Sequence, residues 1–403
     1  MFPSFSLGWR ISQEKFMKAK WIDDLKLRAS WGQTGNQEIS NIARYTIYES
    51  NYGVNESGGQ SYGTSYDIAG TNGGQILSSG FKRNQIGNDD IKWETTETWN
   101  AGLDYGFLNN RIYGSIDVYK RHTKDLLNTI PVISGVNYSA VLTTNIGEMD
   151  NKGVEFSINA VPVQTKDFSW SVGLNYTWND SKITKLNTVD TEGSYVETGA
   201  ISSTGKFVEC FMVGKRPYTF YLAKQAYDEN GKPMEGQFVQ PDGSVSSKET
   251  RHASRCALPK SYLGFNTQFT YKNWELGITG HGSFGNYIYN YVAANQYQQQ
   301  VYSDQGNFSN ILKTTAQSGF QQQQLYSDYF LEKGDFFRID NITLGYTFHK
   351  LWNSSSSLRL SAAVQNVCVI TGYSGLDPEI YNGIDRDVYP RPRTFSISAN
   401  LNF

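Results

Sequence analysis

The side chains able to do chemistry are few and scattered. His122, His252, His281 and His349 fall in unrelated stretches, so water-facing positions are expected for them rather than a zinc site or an acid–base pair. Cys210, Cys256 and Cys368 form no CxxC pair, which leaves a zinc or redox motif without support. Two readings of Cys210 and Cys256 stay open: a disulfide in an oxidising compartment, or two free thiols. Asp377, Glu379, Asp385 and Asp387 gather in one long polar stretch, where a cation site competes with an ordinary solvated loop. Residues 51–74 are rich in Gly, Ser, Asn and Tyr. That composition suits stacking and hydrogen bonding to a sugar, and equally a loop with no ligand. The glutamines at 298–300 and 321–324 have the same two readings. The chain contains no GxSxG, P-loop, dinucleotide fingerprint or HExxH. The expectation is therefore a protein that is not an enzyme and uses no cofactor and no metal.

Bulk properties narrow the class. The 403 residues carry a net charge of −2, which gives no electrostatic case for nucleic acid. Mean hydropathy is −0.50, and no run approaches the roughly 18 apolar residues of a membrane helix. A β-barrel remains open, because only every second residue of its wall faces lipid. The 27 Tyr, 22 Phe and 9 Trp favour it, since aromatic girdles at the two interfaces would use them. Phe2 and Pro3 follow Met1 without a basic or apolar leader segment, so the chain is expected to carry no signal peptide of its own.

Period-two alternation dominates the chain. Phe168, Trp170, Val172, Leu174, Tyr176 and Trp178 alternate with Ser169, Ser171, Gly173, Asn175, Thr177 and Asn179. Phe395, Ile397, Ala399, Leu401 and Phe403 alternate with small polar residues up to the chain end. The small, neutral polar face suits a water-filled lumen. About eleven wall strands are expected, near 4–12, 22–33, 93–106, 111–123, 150–162, 167–181, 261–271, 273–286, 335–348, 357–371 and 393–403. Short links at 108–110, 162–167, 272–273 and 350–356 alternate with long ones at 34–92, 124–149, 182–260, 287–334 and 372–392. Outer-membrane barrels are built this way, with short turns periplasmic and long loops outside. A hairpin is expected inside the long 182–260 stretch, over 219–237 with its turn at Asn230-Gly231. The last strand then runs downward, and so does the first. An odd strand count with an extracellular start predicts further strands upstream. A terminal aromatic on an alternating strand resembles an outer-membrane insertion signal, which assigns that role to Phe403, Leu401 and Phe395.

Motifs along the chain resemble the SusC/RagA family of TonB-linked outer-membrane proteins. Residues 2–10 read FPSFSLGWR and residues 25–37 read LKLRASWGQTGNQ, similar to that family's barrel strands. Trp93-Glu94-Thr95-Thr96, Asn151-Lys152-Gly153-Val154-Glu155 and Gly334-Asp335-Phe336-Phe337-Arg338 resemble further family signatures. So do Tyr373-Ser374-Gly375-Leu376-Asp377-Pro378-Glu379 and the run from Pro390 to Phe403. The resemblance implies an all-β, antiparallel transmembrane β-barrel of about 22 strands with a plugged lumen. It assigns residues 1–403 to the C-terminal half, with plug and N-terminal strands absent. It also implies TonB-dependent import of oligosaccharides, peptides or other large nutrients, with a SusD-like surface lipoprotein as partner. TonB would act through the missing N-terminal part, so the chain alone is expected to be a fragment without transport activity. Family members often carry an acidic, calcium-like loop where this chain reads Gln240-Pro241-Asp242-Gly243-Ser244. One carboxylate is too few for such a site. The alternative to an importer barrel is a secreted soluble β-sandwich that binds glycans; a simple porin is a third option.

Overall fold

A computed structural model describes residues 2–51, 65–67, 77–131, 141–186, 193–201, 205–298, 310–352, 356–386 and 388–403. Eleven strands form one antiparallel sheet in strict chain order. They are β1 Ser4–Arg10, β2 Ile22–Asn36, β3 Glu94–Phe107, β4 Ile112–Pro131, β5 Val141–Gln164 and β6 Phe168–Lys185. The second half comprises β7 Ser261–Tyr271, β8 Trp274–Phe284, β9 Phe336–His349, β10 Ser357–Thr371 and β11 Thr394–Asn402. Every wall strand expected from the alternation is present. The sheet does not close on itself, so β1 and β11 are its edges.

Register turns alternation along each strand into rows across the sheet. One row runs Ala160, Val172, Thr267, Ile278, Ile342, Val364 and Phe395. The row beside it, on the opposite face, runs Asn159, Gly173, Asn266, Thr279, Asn341, Gln365 and Thr394. The apolar rows are left uncovered: Phe395 is 73% exposed and Ile397 89%. A face like this is stable against lipid and not against water. Where a polar atom does point outward it is satisfied locally, as when Trp170 Nε1 donates to Thr267 Oγ1 at 2.8 Å.

The two ends of the sheet differ. At one end the links are tight. Leu108, Asn109 and Asn110 all have positive φ, at 57°, 60° and 56°, and Asn accepts this left-handed region more readily than most residues. Asp23 fixes the turn by accepting from the Asn110 amide at 2.9 Å. At the other end the strands rise further than the alternation predicts. β4 continues to Pro131 and β5 begins at Val141, so much of the expected 124–149 loop is hairpin. Register shifts after Thr123 absorb the polar Lys124-Asp125 step that reads as a loop. Asn145 holds the base of this extension, donating to the carbonyls of Lys92 (2.7 Å) and Asp125 (2.8 Å).

The hydrophobic core lies above the wall, not within it. Val208, Phe220, Leu222, Tyr289, Phe320 and Ile384 are nearly or fully buried in one cluster drawn from 182–260, 287–334 and 372–392. A four-stranded sheet of Tyr195–Ala200, Phe207–Met212, Thr219–Ala223 and Arg251–Cys256 forms one side of this cap. The expected hairpin around Asn230-Gly231 is there, with Asp228 accepting from the amides of Asn230 (2.9 Å) and Lys232 (2.8 Å). Its arms are Gln225–Tyr227 and Pro233–Val239, however. Thr219–Ala223 pairs instead with Arg251–Cys256, because Phe220 and Leu222 belong to the core.

Candidate functional site

Two polar assemblies occupy the face opposite the apolar rows. In the first, Arg28 of β2 reaches across β3 to two carboxylates. Its Nε donates to Asp104 Oδ2 at 2.9 Å, and its Nη2 donates to Asp104 Oδ1 at 2.8 Å and to Asp117 Oδ2 at 3.0 Å. Gly102 stands between Arg28 and Asp117 in register. A Cβ there would lie 2.5 Å from Asp117 Oδ1 and 2.8 Å from Arg28 Cζ, so the missing side chain opens the path. Gly173 plays the same part between Asn159 and Asn266, where a Cβ would approach the two amides to 2.9 and 2.7 Å. The result is a surface of fixed hydrogen-bond donors and acceptors.

The second assembly ties the cap to the wall. Arg338 of β9 is 3% exposed, and it donates to Asp377 Oδ1 at 2.6 Å and to Asn366 Oδ1 at 2.8 Å. Arg391 meets Glu379 at 2.7 Å, and His281 meets Asp340 at 2.7 Å. Register shifts beside Asp340 on both flanks of β9 turn Arg338 to this face. Three carboxylates of the acidic stretch are thus already engaged within the protein. Asp377 and Glu379 are engaged by arginines, and buried Asp385 accepts from Tyr373 Oη at 2.6 Å. Burial and that carboxylate together hold the Tyr373 phenol well above its ordinary range. Asp387 lies outside the described residues, as does most of 51–74.

Several other residues raised by the sequence have plain structural roles. Asp242 caps its own turn, accepting from the Ser244 amide (2.9 Å) and hydroxyl (2.6 Å), and these bonds lower its carboxyl pKa. Cys210 and Cys256 both pair in register with Thr219, from opposite sides. Two strand spacings, about 9.6 Å, separate them, which is too far for a disulfide. Both are free thiols, and burial pushes Cys210 up to about 12. In β11, Phe395 pairs with Val364 and Leu401 with Leu358 on the apolar face. Phe403 follows the strand and is 89% exposed. Sequence reading missed Arg28 and Arg338. The available signal for the first was an arginine at a lumenal parity beside Asp104 and Asp117; the second was hidden by the bulge.

An antiparallel wall with an apolar exterior, a small-residue polar interior, tight turns at one end and folded loops at the other defines an outer-membrane β-barrel wall. The chain belongs to the TonB dependent receptor-like β-barrel family, whose sequence profile matches residues 1–367. It is 40% identical over 416 residues to the TonB-dependent receptor SusC of Bacteroides thetaiotaomicron, a match covering 100% of this chain and 40% of SusC. It is 28% identical to the TonB-dependent receptor P3 of Formosa agariphila, covering 100% of this chain and 42% of that protein. A solved structure of the RagAB peptide transporter superposes with a TM-score of 0.76 at 24% identity, over 100% of this chain and 43% of that one. The chain therefore spans about two fifths of the length of the relatives it matches. Its similarity to SusC runs along its whole length, and its place is the outer membrane. The soluble β-sandwich alternative is not this fold.

Proposed function

We propose that this chain supplies eleven adjoining wall strands and the extracellular cap of a TonB-dependent importer for oligosaccharides or other large nutrients. The observation that carries the reading is the 40% identity to SusC along the whole chain. The chemistry agrees with it. Neutral amide and hydroxyl rows such as Asn159, Asn266, Thr279 and Asn341 suit a cargo rich in hydroxyls or peptide groups. The role is transport, not catalysis.

In lipid each unpaired backbone group costs several kcal/mol, so β1 and β11 need strand partners. The remaining wall, the plug and the contact with TonB come from the rest of the receptor in this proposal, and the chain alone does not transport. A SusD-like lipoprotein would seat on the cap. Phe395, Leu401 and Phe403 would be read by the insertion machinery, since they stand exposed on the edge strand and at its end.

Two experiments test this. Uptake of a labelled oligosaccharide by cells carrying the whole receptor should vanish without TonB; TonB-independent uptake rejects the importer class. Residues 1–403 expressed alone behind a leader should give no heat-modifiable barrel. A monomeric, heat-modifiable species would reject the need for partner strands.

A further inference from the structure

The outward face of β1 to β5 carries a groove of about 580 Å³ near its upper edge. Its floor is a pair of alanines, Ala29 and Ala101, directly opposite each other in register. Leu7 flanks the floor on one side and Val118 on the other, in the same row. Small residues between larger ones make a depression in an otherwise even apolar surface. The next row up reads Phe5, Trp31, Trp99, Lys120 and Lys152. The two indoles are held in place from above. Glu97 Oε1 accepts from Trp31 Nε1 at 2.8 Å and from Trp99 Nε1 at 3.0 Å, and the rings lie 6.0 Å apart.

Lys120 and Lys152 are exposed at the end of this row. At the rim, Lys92 is paired with Asp125 at 2.9 Å and Lys185 with Glu148 at 3.7 Å. Neither Lys120 nor Lys152 has an ion-pair partner among the described residues, and Asp180, next in the row, turns to Arg216 at 3.7 Å. Depth fits a headgroup. Trp99 stands eight residues above Phe107, beside the short turn. That is about 26 Å along a strand and about 20 Å of height at a barrel's tilt, near the top of an apolar band about 25 Å tall.

We infer that this groove is a binding site for a phosphorylated acyl lipid of the outer leaflet. An acyl chain lies on Ala29 and Ala101 beneath the indoles, and the phosphate is met by the ammonium groups of Lys120 and Lys152. Two unpaired cations above an apolar trough complement an anionic headgroup above an acyl chain, and a neutral lipid would leave both unanswered. The inference uses the outer-membrane location and is independent of the import reading.

The test uses the receptor purified from outer membranes in mild detergent, with each variant checked for heat-modifiable migration. The probes are the phosphorylated outer-leaflet glycolipid and its enzymatically dephosphorylated form, measured by native mass spectrometry. Lys120→Gln/Lys152→Gln should weaken the phosphorylated form about 25-fold, roughly fivefold for each interfacial cation, and leave the dephosphorylated form unchanged. Lys166→Gln, in the short turn after β5, should change neither. Ala29→Phe/Ala101→Phe should weaken both forms by filling the floor. Equal wild-type affinity for the two forms, or a double-lysine effect below twofold, overturns the phosphate contact. Unchanged binding in the alanine variant overturns the groove as the acyl seat.

Discussion

Glu209 sits in the cap strand Phe207–Met212, opposite Thr198 on one side and Phe220 on the other, and is 1% exposed. Its Oε1 has no hydrogen-bond partner among the described residues. Gly199, with φ at 68°, leaves the space it occupies, since a Cβ there would lie 2.5 Å from Oε2. Burial raises this carboxyl from its ordinary 4.5 to about 8, against a smaller opposing pull from Arg386. The native cap therefore binds a proton that the opened cap releases above about pH 4.5. Stability is full below that pH, falls as pH rises, and levels off above about 8. Linkage puts the loss at about 3 kcal/mol at pH 7 and below about 1 kcal/mol at pH 5. Glu209→Gln removes the titration. Amide hydrogen exchange of Val208, Glu209 and Phe220, expressed as protection factors, reads cap opening directly. Wild-type protection should fall roughly 100-fold between pH 5 and pH 7.5, while the variant should stay flat. The slope is the discriminating quantity, because the new amide brings its own desolvation cost. Parallel slopes in the two proteins would refute a protonated Glu209.

Three further predictions follow from the wall and its fastening. Arg338→Met leaves buried Asp377 with only the longer contact to Arg391 at 3.6 Å and should loosen its attachment by up to about 3 kcal/mol, seen as faster exchange of the Asp377 and Glu379 amides; unchanged exchange would show the pair to be idle. Leu174→Lys, between Ile158 and Phe265 on the apolar face, should cost about 2–4 kcal/mol in lipid refolding titrations. Asn175→Lys, on the polar face, should cost much less, and equal costs would reverse the face assignment. Protease added to whole cells should cut in 34–92 or 182–260 and spare Asn109, whereas cleavage at Asn109 alone would invert the topology.

The wall was legible because each strand has two different solvents. A slip of one residue would move Trp170, Leu174 and Tyr176 into water and Ser171, Gly173 and Asn175 into lipid, so alternation fixes register. The cap was not legible, because nothing periodic links Val208, Phe220, Tyr289, Phe320 and Ile384. They come from three separate loops and meet only once the wall has brought the loop ends together. The pairing of Asp377 was not legible because its partner lies 39 residues back on β9. That partner faces inward only through the register shift at Asp340, which no alternation pattern reports. The extended β4–β5 hairpin was hidden the same way, since Asp125 at φ 58° looks like a loop residue until Asn145 is seen to accommodate it.

Wall and cap are held by different forces, and this sets the order in which they come apart. Within the wall, consecutive strands exchange ladder hydrogen bonds along nearly their whole length, as over the eleven pairs from Ser261↔Phe284 to Tyr271↔Trp274. Lipid offers those backbone groups no substitute partner, so opening the ladder is expensive. The cap is stabilised instead by burial of side chains such as Phe220, Phe320 and Leu222 from water. Urea solvates apolar and peptide groups wherever water reaches them, and it reaches the cap but not the lipid-embedded ladder. The cap should therefore open as a unit at moderate urea while the wall stays intact. The joints between them are discrete polar contacts: Gly214 donates to the Ile183 carbonyl at 2.9 Å, Ile183 to that of Lys215 at 2.9 Å, Arg216 meets Asp180 at 3.7 Å, and Arg338 holds Asp377. Hydrogen exchange across a urea series should show Phe220 and Tyr289 losing protection well before Phe265 and Ile278. A single midpoint shared by all four would mean that the cap is an integral part of the wall's cooperative unit, and the separation of forces argued from the structure would be wrong.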